Sequence, residues 1–425
     1  MRVASAIARR AFADARVRTI SFAILFFVAA VTQGTAYEEG YPTIEDRIRF
    51  ARSVGENDAA RLLYGTPHDL LTVGGYVAWR VGGSLAILAG IWGLLAAVRA
   101  MRAEEESGRS EVLLTGAVGR RTVFAAQLAA IGAGAVVLWL TAFAGLVVGS
   151  VPVGGSAYLA LAIVSVIPVF AGVGAVASQL APRKRMATGL ASAVLAVAFA
   201  LRGVASSTSG GAEWLRWLSP LGWAEELRPF AGAQPVVLLL PVVASAALLL
   251  AAGALWERRD VGSGLLPAHD TAEPRLGLLG SPATQALRSE RGAIAAWLVG
   301  VAAFALLMGY LSDAVNEDVL SDQVQEQLDK LGGGSIVTPA GYLGFTFLFV
   351  VLAVSLFCCM QVGSVREEES EQRLETLLAL PVGRRRWLAG RLLVAAAAAG
   401  ALALAAGLLA WRERPRRAPT SPSGA

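Results

Sequence analysis

Charged side chains are concentrated in residues 366–392, REEESEQRLETLLALPVGRRRWLAGRL, where eleven of 27 residues carry charge. Glutamates and arginines in such numbers suit ion pairs with a partner outside the membrane. Much of the same pattern occurs earlier, at 102–128. A shift of 264 positions aligns the two stretches without a gap and makes 13 of the 27 positions identical. The spacing therefore indicates one charged surface that the chain uses twice.

The identical positions include glutamates and arginines as well as apolar residues. They are Arg102/Arg366, Glu104/Glu368, Glu105/Glu369, Arg109/Arg373, Glu111/Glu375, Leu113/Leu377, Leu114/Leu378, Val118/Val382, Gly119/Gly383, Arg120/Arg384, Arg121/Arg385, Ala125/Ala389 and Leu128/Leu392. Abundant alanine and leucine could match by composition, but the charged pairs could not easily do so. We interpret the match as an internal duplication.

Other residues capable of chemistry are isolated. His68 and His269 are far apart in the sequence, and Cys358 and Cys359 are adjacent in an apolar run, which fits neither a disulfide framework nor a spaced metal site. The acids of the loop at 37–70 show no diagnostic spacing. These residues indicate no catalytic or metal site. A membrane-bound enzyme acting on a lipid-linked substrate is kept as the alternative function, and a membrane anchor or sensor is a third.

The composition indicates that a bilayer surrounds much of the chain. Hydrophobic residues make up 55% of the 425 residues, charged residues only 16%, and the mean hydropathy is +0.58. Apolar stretches of about 20 residues can cross the membrane as helices. The predicted fold is an all-α polytopic membrane protein with nine spans, near 19–36, 74–98, 123–149, 155–180, 187–203, 234–256, 292–311, 342–365 and 389–411.

The arginines predict the orientation of these spans. Basic residues flank the first span and follow the second, fourth and sixth, so the positive-inside rule places the N-terminus and these ends in the cytoplasm. Both charged stretches follow an even-numbered span. The two halves of the chain are therefore expected to have the same orientation, as a parallel repeat.

This pattern predicts five segments. They are an interfacial amphipathic helix at 1–18, a first half of six spans at 19–256, a cytoplasmic linker with a second interfacial segment at 257–291, an incomplete second half of three spans at 292–411, and a basic Pro/Ser-rich tail at 412–425. Relative to the first half, about three spans are missing. We expect a truncated or frame-shifted form of a twelve-span parent, and a genuine short variant is the alternative.

The stretch at 366–392 must lie outside the hydrocarbon. At about 3 kcal/mol per central charge, burying it in lipid would cost on the order of 30 kcal/mol. The pattern predicts a short helix whose apolar face contains Leu374, Leu377 and Leu378, followed by a turn at Pro381 and Gly383. That face either packs on the ends of its own spans or binds a partner, and its duplication favours a partner.

The motifs RSEVLLTGAVGRR and RLETLLALPVGRRR resemble the cytoplasmic loop of ABC type-2 transporter permeases. More closely, the chain resembles fused two-half actinobacterial permeases that export polyketide antibiotics of the tetronasin type. The segment WLRWLSPLGW at 214–223 resembles the outer loop before the last span of each half, and it also suits an interfacial aromatic belt. The first copy departs from the family pattern because Ala117 stands where the second copy has Pro381.

The resemblance implies a permease subunit of an ABC exporter in the plasma membrane of a bacterium, one that moves a hydrophobic small molecule and is not itself an enzyme. Its partners would be the lipid bilayer, the cargo and a separate ABC ATP-binding protein, as a homodimer, which would bind ATP and Mg; no metal and no nucleic acid is implied for this chain. The implied coupling residues are Glu105, Arg109, Glu111, Leu113, Leu114 and Arg120, with Glu369, Arg373, Glu375, Leu377, Leu378, Pro381 and Arg384.

The residues themselves agree with a motor outside the chain. A P-loop requires Gly-Lys followed by Ser or Thr, and neither Lys184 nor Lys330 follows a glycine. No Asp, Glu or Lys stands in the middle of a predicted span, where an ion-coupled carrier would need one. Both observations favour an external ATPase over a secondary transporter. A truncated chain could also be a non-functional permease.

Overall fold

The computed structural model describes residues 2–55, 58–108, 119–207, 211–260, 263–266, 277–312, 339–370, 373–379 and 382–412. Within these ranges the chain forms α-helices, short 3-10 helices and π-helical turns, with no strand. It divides into two compact units, Met1–Asp270 and Thr271–Ala425. Each unit is described by itself.

The described residues of the first unit form ten α-helices. They are α1 (Arg2–Gly40), α2 (Ile44–Gly55), α3 (Asp58–Tyr64), α4 (Val73–Glu106), α5 (Arg120–Val148), α6 (Val153–Val164), α7 (Val166–Leu180), α8 (Lys184–Ser207), α9 (Pro220–Glu226) and α10 (Leu239–Arg258). Short 3-10 helices, Glu213–Leu218 and Pro235–Leu238, flank α9.

In the second unit the described residues form four α-helices, which are α11 (Pro282–Ser312), α12 (Pro339–Ser370), α13 (Arg373–Leu378) and α14 (Arg384–Arg412). Nine helical stretches in the described parts of the two units are long and apolar enough to cross a membrane, and each overlaps one predicted span. The predicted all-α polytopic fold is therefore confirmed. Of the segment predicted as a separate interfacial helix, 1–18, the described residues 2–18 belong to α1, which continues to Gly40.

Two of the spans in the first unit depart from regular α geometry. The helical hydrogen-bond ladder is interrupted between α6 and α7 at Ser165, although the φ of −59° and ψ of −24° of this residue remain helical, because Pro168 has no N–H to bond the carbonyl group of Val164. In α4, π-helical turns occupy Ala78–Gly82 and Arg99–Ala103. Such turns often mark functional sites, and each lies near one end of α4.

The centre of the first unit is the contact between α4 and α7, where small residues let the backbones approach closely. A Cβ atom on Gly93 would lie 2.7 Å from the carbonyl oxygen of Ile167, and one on Gly174 would lie 2.7 Å from that of Leu94. Membrane helices use small residues in this way because packing replaces the hydrophobic drive between them. Movement of α4 therefore requires movement of α7.

The duplication is visible in the helices. Helix α14 begins at Arg384, 264 residues after Arg120, where α5 begins. The backbone nitrogen of Val123 donates to the carbonyl of Gly119 at 3.3 Å, and Trp387 donates to Gly383 at 3.0 Å in the equivalent bond. Helix α1 packs along α5 in the first unit, and α11 packs along α14 in the second. The three spans of the second unit thus repeat the first three of the first unit.

Candidate functional site

The predicted coupling residues fall partly outside the described structure. Arg109, Glu111, Leu113, Leu114 and Pro381 lie outside the described residues. For Arg373 the backbone alone is described. The structure does describe residues just before and just after the undescribed part of each repeated charged stretch, and these residues form the candidate site.

Glu105, near the end of α4, is the centre of a buried ion cluster. Its Oε2 accepts a hydrogen bond from Nη1 of Arg102 at 2.8 Å, and its Oε1 accepts one from Nη2 of Arg259 at 2.5 Å. All three side chains are 1–2% exposed. We refer to Arg102, Glu105 and Arg259 as the Glu105 cluster, and to this end of the first unit, which the sequence predicts to be cytoplasmic, as the inner end.

Polar groups from three other parts of the first unit complete the Glu105 cluster. Nε of Arg259 donates to Oε1 of Gln179 at 2.7 Å, and its Nη1 donates to the carbonyl of Ser263 at 2.6 Å. Arg102 donates to the same Ser263 carbonyl at 2.9 Å and to that of Pro182. Buried charges tolerate loss of water only when such bonds are made, so these bonds tie together α4, α7, the turn before α8 and the chain after α10.

The first predicted coupling segment, residues 107–119, begins and ends beside one residue, Arg259. The helix that enters it is held by the bond between Glu105 and the Arg259 side chain. Arg120 is the first residue of the helix that leaves it, and its Nη1 donates to the backbone carbonyl of Arg259 at 2.8 Å. The predicted coupling residues Glu105 and Arg120 thus hold the segment in place, and Glu105 is itself enclosed.

The π-helical turn at Arg99–Ala103 helps to position the cluster. An extra residue in one turn rotates the following side chains relative to the regular helix, and Arg102 lies in this turn. Gln127 of α5 donates from Nε2 to the carbonyl of Ala100 in the same turn, at 2.6 Å. That bond satisfies a carbonyl group of the π turn.

In the second unit the corresponding residues are more open. Arg366, Glu369 and Arg384 are exposed, in contrast to the enclosed Arg102 and Glu105. An ion pair does form nearby, between Arg391 and Glu290 at 3.2 Å, and Arg391 also contacts Glu368.

Helix α13 presents a mixed surface. Glu375 is exposed, whereas Leu374, Leu377 and Leu378 are half-buried. The helix packs against α12 in the same unit. The leucines are therefore only partly covered by their own unit, and a partner could bury the remainder.

Sequence reasoning missed two members of this site, Arg259 and Gln179. Arg259 was recognised only as a positive charge after the sixth span, and Gln179 only as part of the fourth. A glutamine and an arginine at span ends that are otherwise apolar are signals of polar contacts between helices. The partner of each depends on the packing of α4, α7 and α10, which the sequence does not specify.

A second buried ion cluster lies at the opposite, outer end of the first unit. Glu225 of α9 pairs with Arg202 of α8, whose Nε lies 2.8 Å from Oε1 of Glu225, while Glu226 pairs with Arg216 and with Arg228. Burial raises the pKa of Glu225, and the neighbouring Arg202 and Arg216 oppose that rise. The segment WLRWLSPLGW supplies Arg216 to this cluster, while its Trp214 and Trp217 are exposed.

A small cavity of about 50 Å³ adjoins the outer cluster and is lined by Tyr64, His68, Trp79, Glu225 and Phe230, among others. Burial lowers the pKa of His68, and the charge of Arg228 acts in the same direction. A Cβ atom on Gly65 would lie 2.3 Å from Oε1 of Glu225, which shows how closely the loop before α4 covers the carboxylate. The outer end is thus closed by polar contacts in the first unit.

The chain matches the family model of the multidrug efflux system permease Rv1217c, C-terminal domain, over residues 12–258 and 279–414. It is also 33% identical to the multidrug efflux system permease protein Rv1217c of Mycobacterium tuberculosis over 401 residues. That alignment covers 92% of this chain and 71% of the relative. The residues matched by the family model include Arg102, Glu105 and both copies of the repeated segment.

Proposed function

This chain belongs to the family of the multidrug efflux system permease Rv1217c, and we propose that it is the membrane-spanning subunit of an ATP-driven efflux system. A separate ATP-binding protein, acting as a homodimer, supplies the energy. The cargo is a hydrophobic small molecule such as a drug or an antibiotic. The same proposal includes a closer assignment of this chain, to the exporters of the tetronasin type.

The observation that carries this proposal is the repeated segment between equivalent helices. In the first unit α4 leads into the charged segment and α5 follows it. In the second unit α12 and α14 take these places, and α14 begins 264 residues after the start of α5. A motor made of two identical subunits requires two equivalent contacts on the permease. The segments at 107–119 and 371–383 supply them, with Arg109, Glu111, Leu113 and Leu114 in the first and Arg373, Glu375, Leu377 and Leu378 in the second.

Helix α4 links the two ends of the first unit. Its 34 residues span about 50 Å, enough to cross the bilayer and extend beyond it. Its last turn carries Glu105, and near its start Gly83 lies against Arg202 and Glu225, since a Cβ there would be 3.2 Å and 3.4 Å from their side-chain atoms. A displacement of the coupling segment by ATP binding is thereby transmitted to the outer cluster.

The test is reconstitution of the full chain with a Walker-motif ATP-binding protein from the same genome. We expect the two to co-purify and ATP hydrolysis to rise when a hydrophobic drug is added. Failure of every such protein to bind would overturn the proposed motor.

Charge reversals then test the coupling residues. Glu111→Arg and Glu375→Arg should each lower the rate of drug-stimulated ATP hydrolysis at least about tenfold, because a like charge at a docking contact costs more than about 1.4 kcal/mol. Glu39→Arg is the matched control, since Glu39 is exposed at the predicted opposite face. If all three variants hydrolyse ATP like the unmodified chain, these segments are not the coupling sites.

A further inference from the structure

A cavity of about 210 Å³ lies at the inner end of the first unit, between the first turns of α1, the end of α4 and the start of α5. Its lining combines apolar side chains, among them Ile7, Trp92 and Ile131, with charged ones. The charged residues of the lining are Arg10, Asp14, Arg18, Arg99 and Glu104. The cavity is separate from the coupling residues and has no role in the function proposed above.

The charges of this lining favour a single anionic group. Three arginines and two carboxylates give it a formal net charge of +1. Neither Arg10 nor Arg99 lies within ion-pair distance of a carboxylate in the described part of the chain, and Arg18 donates one long hydrogen bond, 3.4 Å, to the carbonyl of Asp14. Guanidinium groups in this state keep donors available for a phosphate.

A buried acceptor in the lining also lacks a donor. Gln127 is 5% exposed, and while its Nε2 is bonded to Ala100, its Oε1 accepts no hydrogen bond from any described residue. The repeat places Arg391 at the equivalent position of the second unit, where its own guanidinium pairs with Glu290 and Glu368. A buried amide oxygen without a donor is costly, so a ligand with a hydroxyl group would be stabilised beside Gln127.

We propose that this cavity binds an anionic glycerophospholipid of the inner leaflet with a hydroxylated headgroup, such as phosphatidylglycerol. The guanidinium groups of Arg10, Arg18 and Arg99 bind the phosphate, Gln127 accepts a hydrogen bond from the headgroup, and apolar side chains contact an acyl chain. The volume suits a phosphate-bearing headgroup, being several times that of one water molecule. Basic sites between helices at the cytoplasmic side of a membrane suit such lipids.

The test measures lipid binding to the full chain in phosphatidylcholine nanodiscs to which phosphatidylglycerol is added, by native mass spectrometry and by melting temperature. Arg99→Gln should weaken phosphatidylglycerol binding about fivefold, since one basic residue near the surface contributes about that factor. Arg16→Gln is the control, because Arg16 is an exposed arginine of α1 outside the lining. Equal weakening of phosphatidylglycerol binding by both variants would indicate only diffuse electrostatic attraction and would overturn the proposed binding site.

A cavity-filling pair tests the site without a change of charge. Ala130 lines the cavity, whereas its neighbour Ala129 is exposed and does not. Ala130→Leu should reduce phosphatidylglycerol binding and leave the melting temperature in pure phosphatidylcholine near that of Ala129→Leu. Unchanged lipid binding by Ala130→Leu would overturn the proposal. So would glycerol 3-phosphate that competes as strongly as the lipid, because the site would then bind a soluble anion.

Discussion

Glu105 and Arg259 form a buried ion pair, 2.5 Å between Oε1 and Nη2, although 154 residues separate them in the sequence. The bond joins the end of the second span to the chain that follows the sixth span. Because Arg120 also binds the backbone carbonyl of Arg259, the first coupling segment is fixed at both ends to one point. A force on that segment therefore reaches α4 and α10 together.

Replacing Glu105 tests the strength of this attachment. Glu105→Gln removes the carboxylate to which the two buried arginines donate, so we expect a loss of about 3–5 kcal/mol in the free energy of unfolding. Glu369→Gln, at the equivalent and exposed position of the second unit, should change it by less than about 1 kcal/mol. Thermal unfolding in detergent compares the two, and equal losses would contradict the role of burial.

Replacing Arg120 tests the other attachment. Arg120→Met removes one hydrogen bond, worth about 1 kcal/mol, and should let the segment at 107–119 open about fivefold more often. Cleavage after Glu111 by a glutamate-specific protease reports this opening. The control is Arg121→Met, whose side chain is 85% exposed and pairs with Glu257 at the surface. Faster cleavage in the control than in Arg120→Met would argue against the attachment.

The sequence was sufficient for the nine spans and the repeat, because both follow from local hydrophobicity and from residues 264 positions apart. It did not predict the Glu105 cluster. The resemblance implies that Glu105 is a coupling residue, and the structure buries it against Arg259. Only the three-dimensional packing of α4 and α10 brings the two side chains together. The identical Glu369 is exposed, so the same local motif has two environments that no local pattern distinguishes.

The first turn of α9 should be sensitive to a single methyl group. A Cβ atom on Gly222 would lie 2.3 Å from the carbonyl oxygen of Arg216, so the backbone must move and disturb the contact between Arg216 and Glu226. We expect Gly222→Ala to lower the free energy of unfolding by about 1–3 kcal/mol. Gly154→Ala is the matched control because, apart from its chain neighbours and its own helix backbone, no described atom lies within 4 Å of its Cβ position. A denaturant titration that finds both variants equally stable would refute this account.

The outer end should respond to acid through His68. Its pKa lies below the ordinary value of about 6.5 because burial and Arg228 disfavour the imidazolium, with Glu226 opposing and Arg216 assisting. Because the pKa of His68 is lowered in the folded state, the stability that its neutral imidazole contributes is present above the unfolded pKa and is lost as the pH falls through the folded pKa. Glu225, whose pKa is raised, acts in the opposite direction. The comparison must therefore be made between variants rather than between pH values alone.

His68→Gln isolates the imidazole because it leaves Glu225 and the three nearby arginines in place. Between pH 7.5 and pH 5, we expect the melting temperature of the unmodified chain to fall further than that of His68→Gln. The difference between the two melting curves as a function of pH is the measurement, and it should appear below about pH 6.5. Parallel curves over the whole range would show that His68 titrates equally in the folded and unfolded states, and that the cavity beside Glu225 does not exclude its charge.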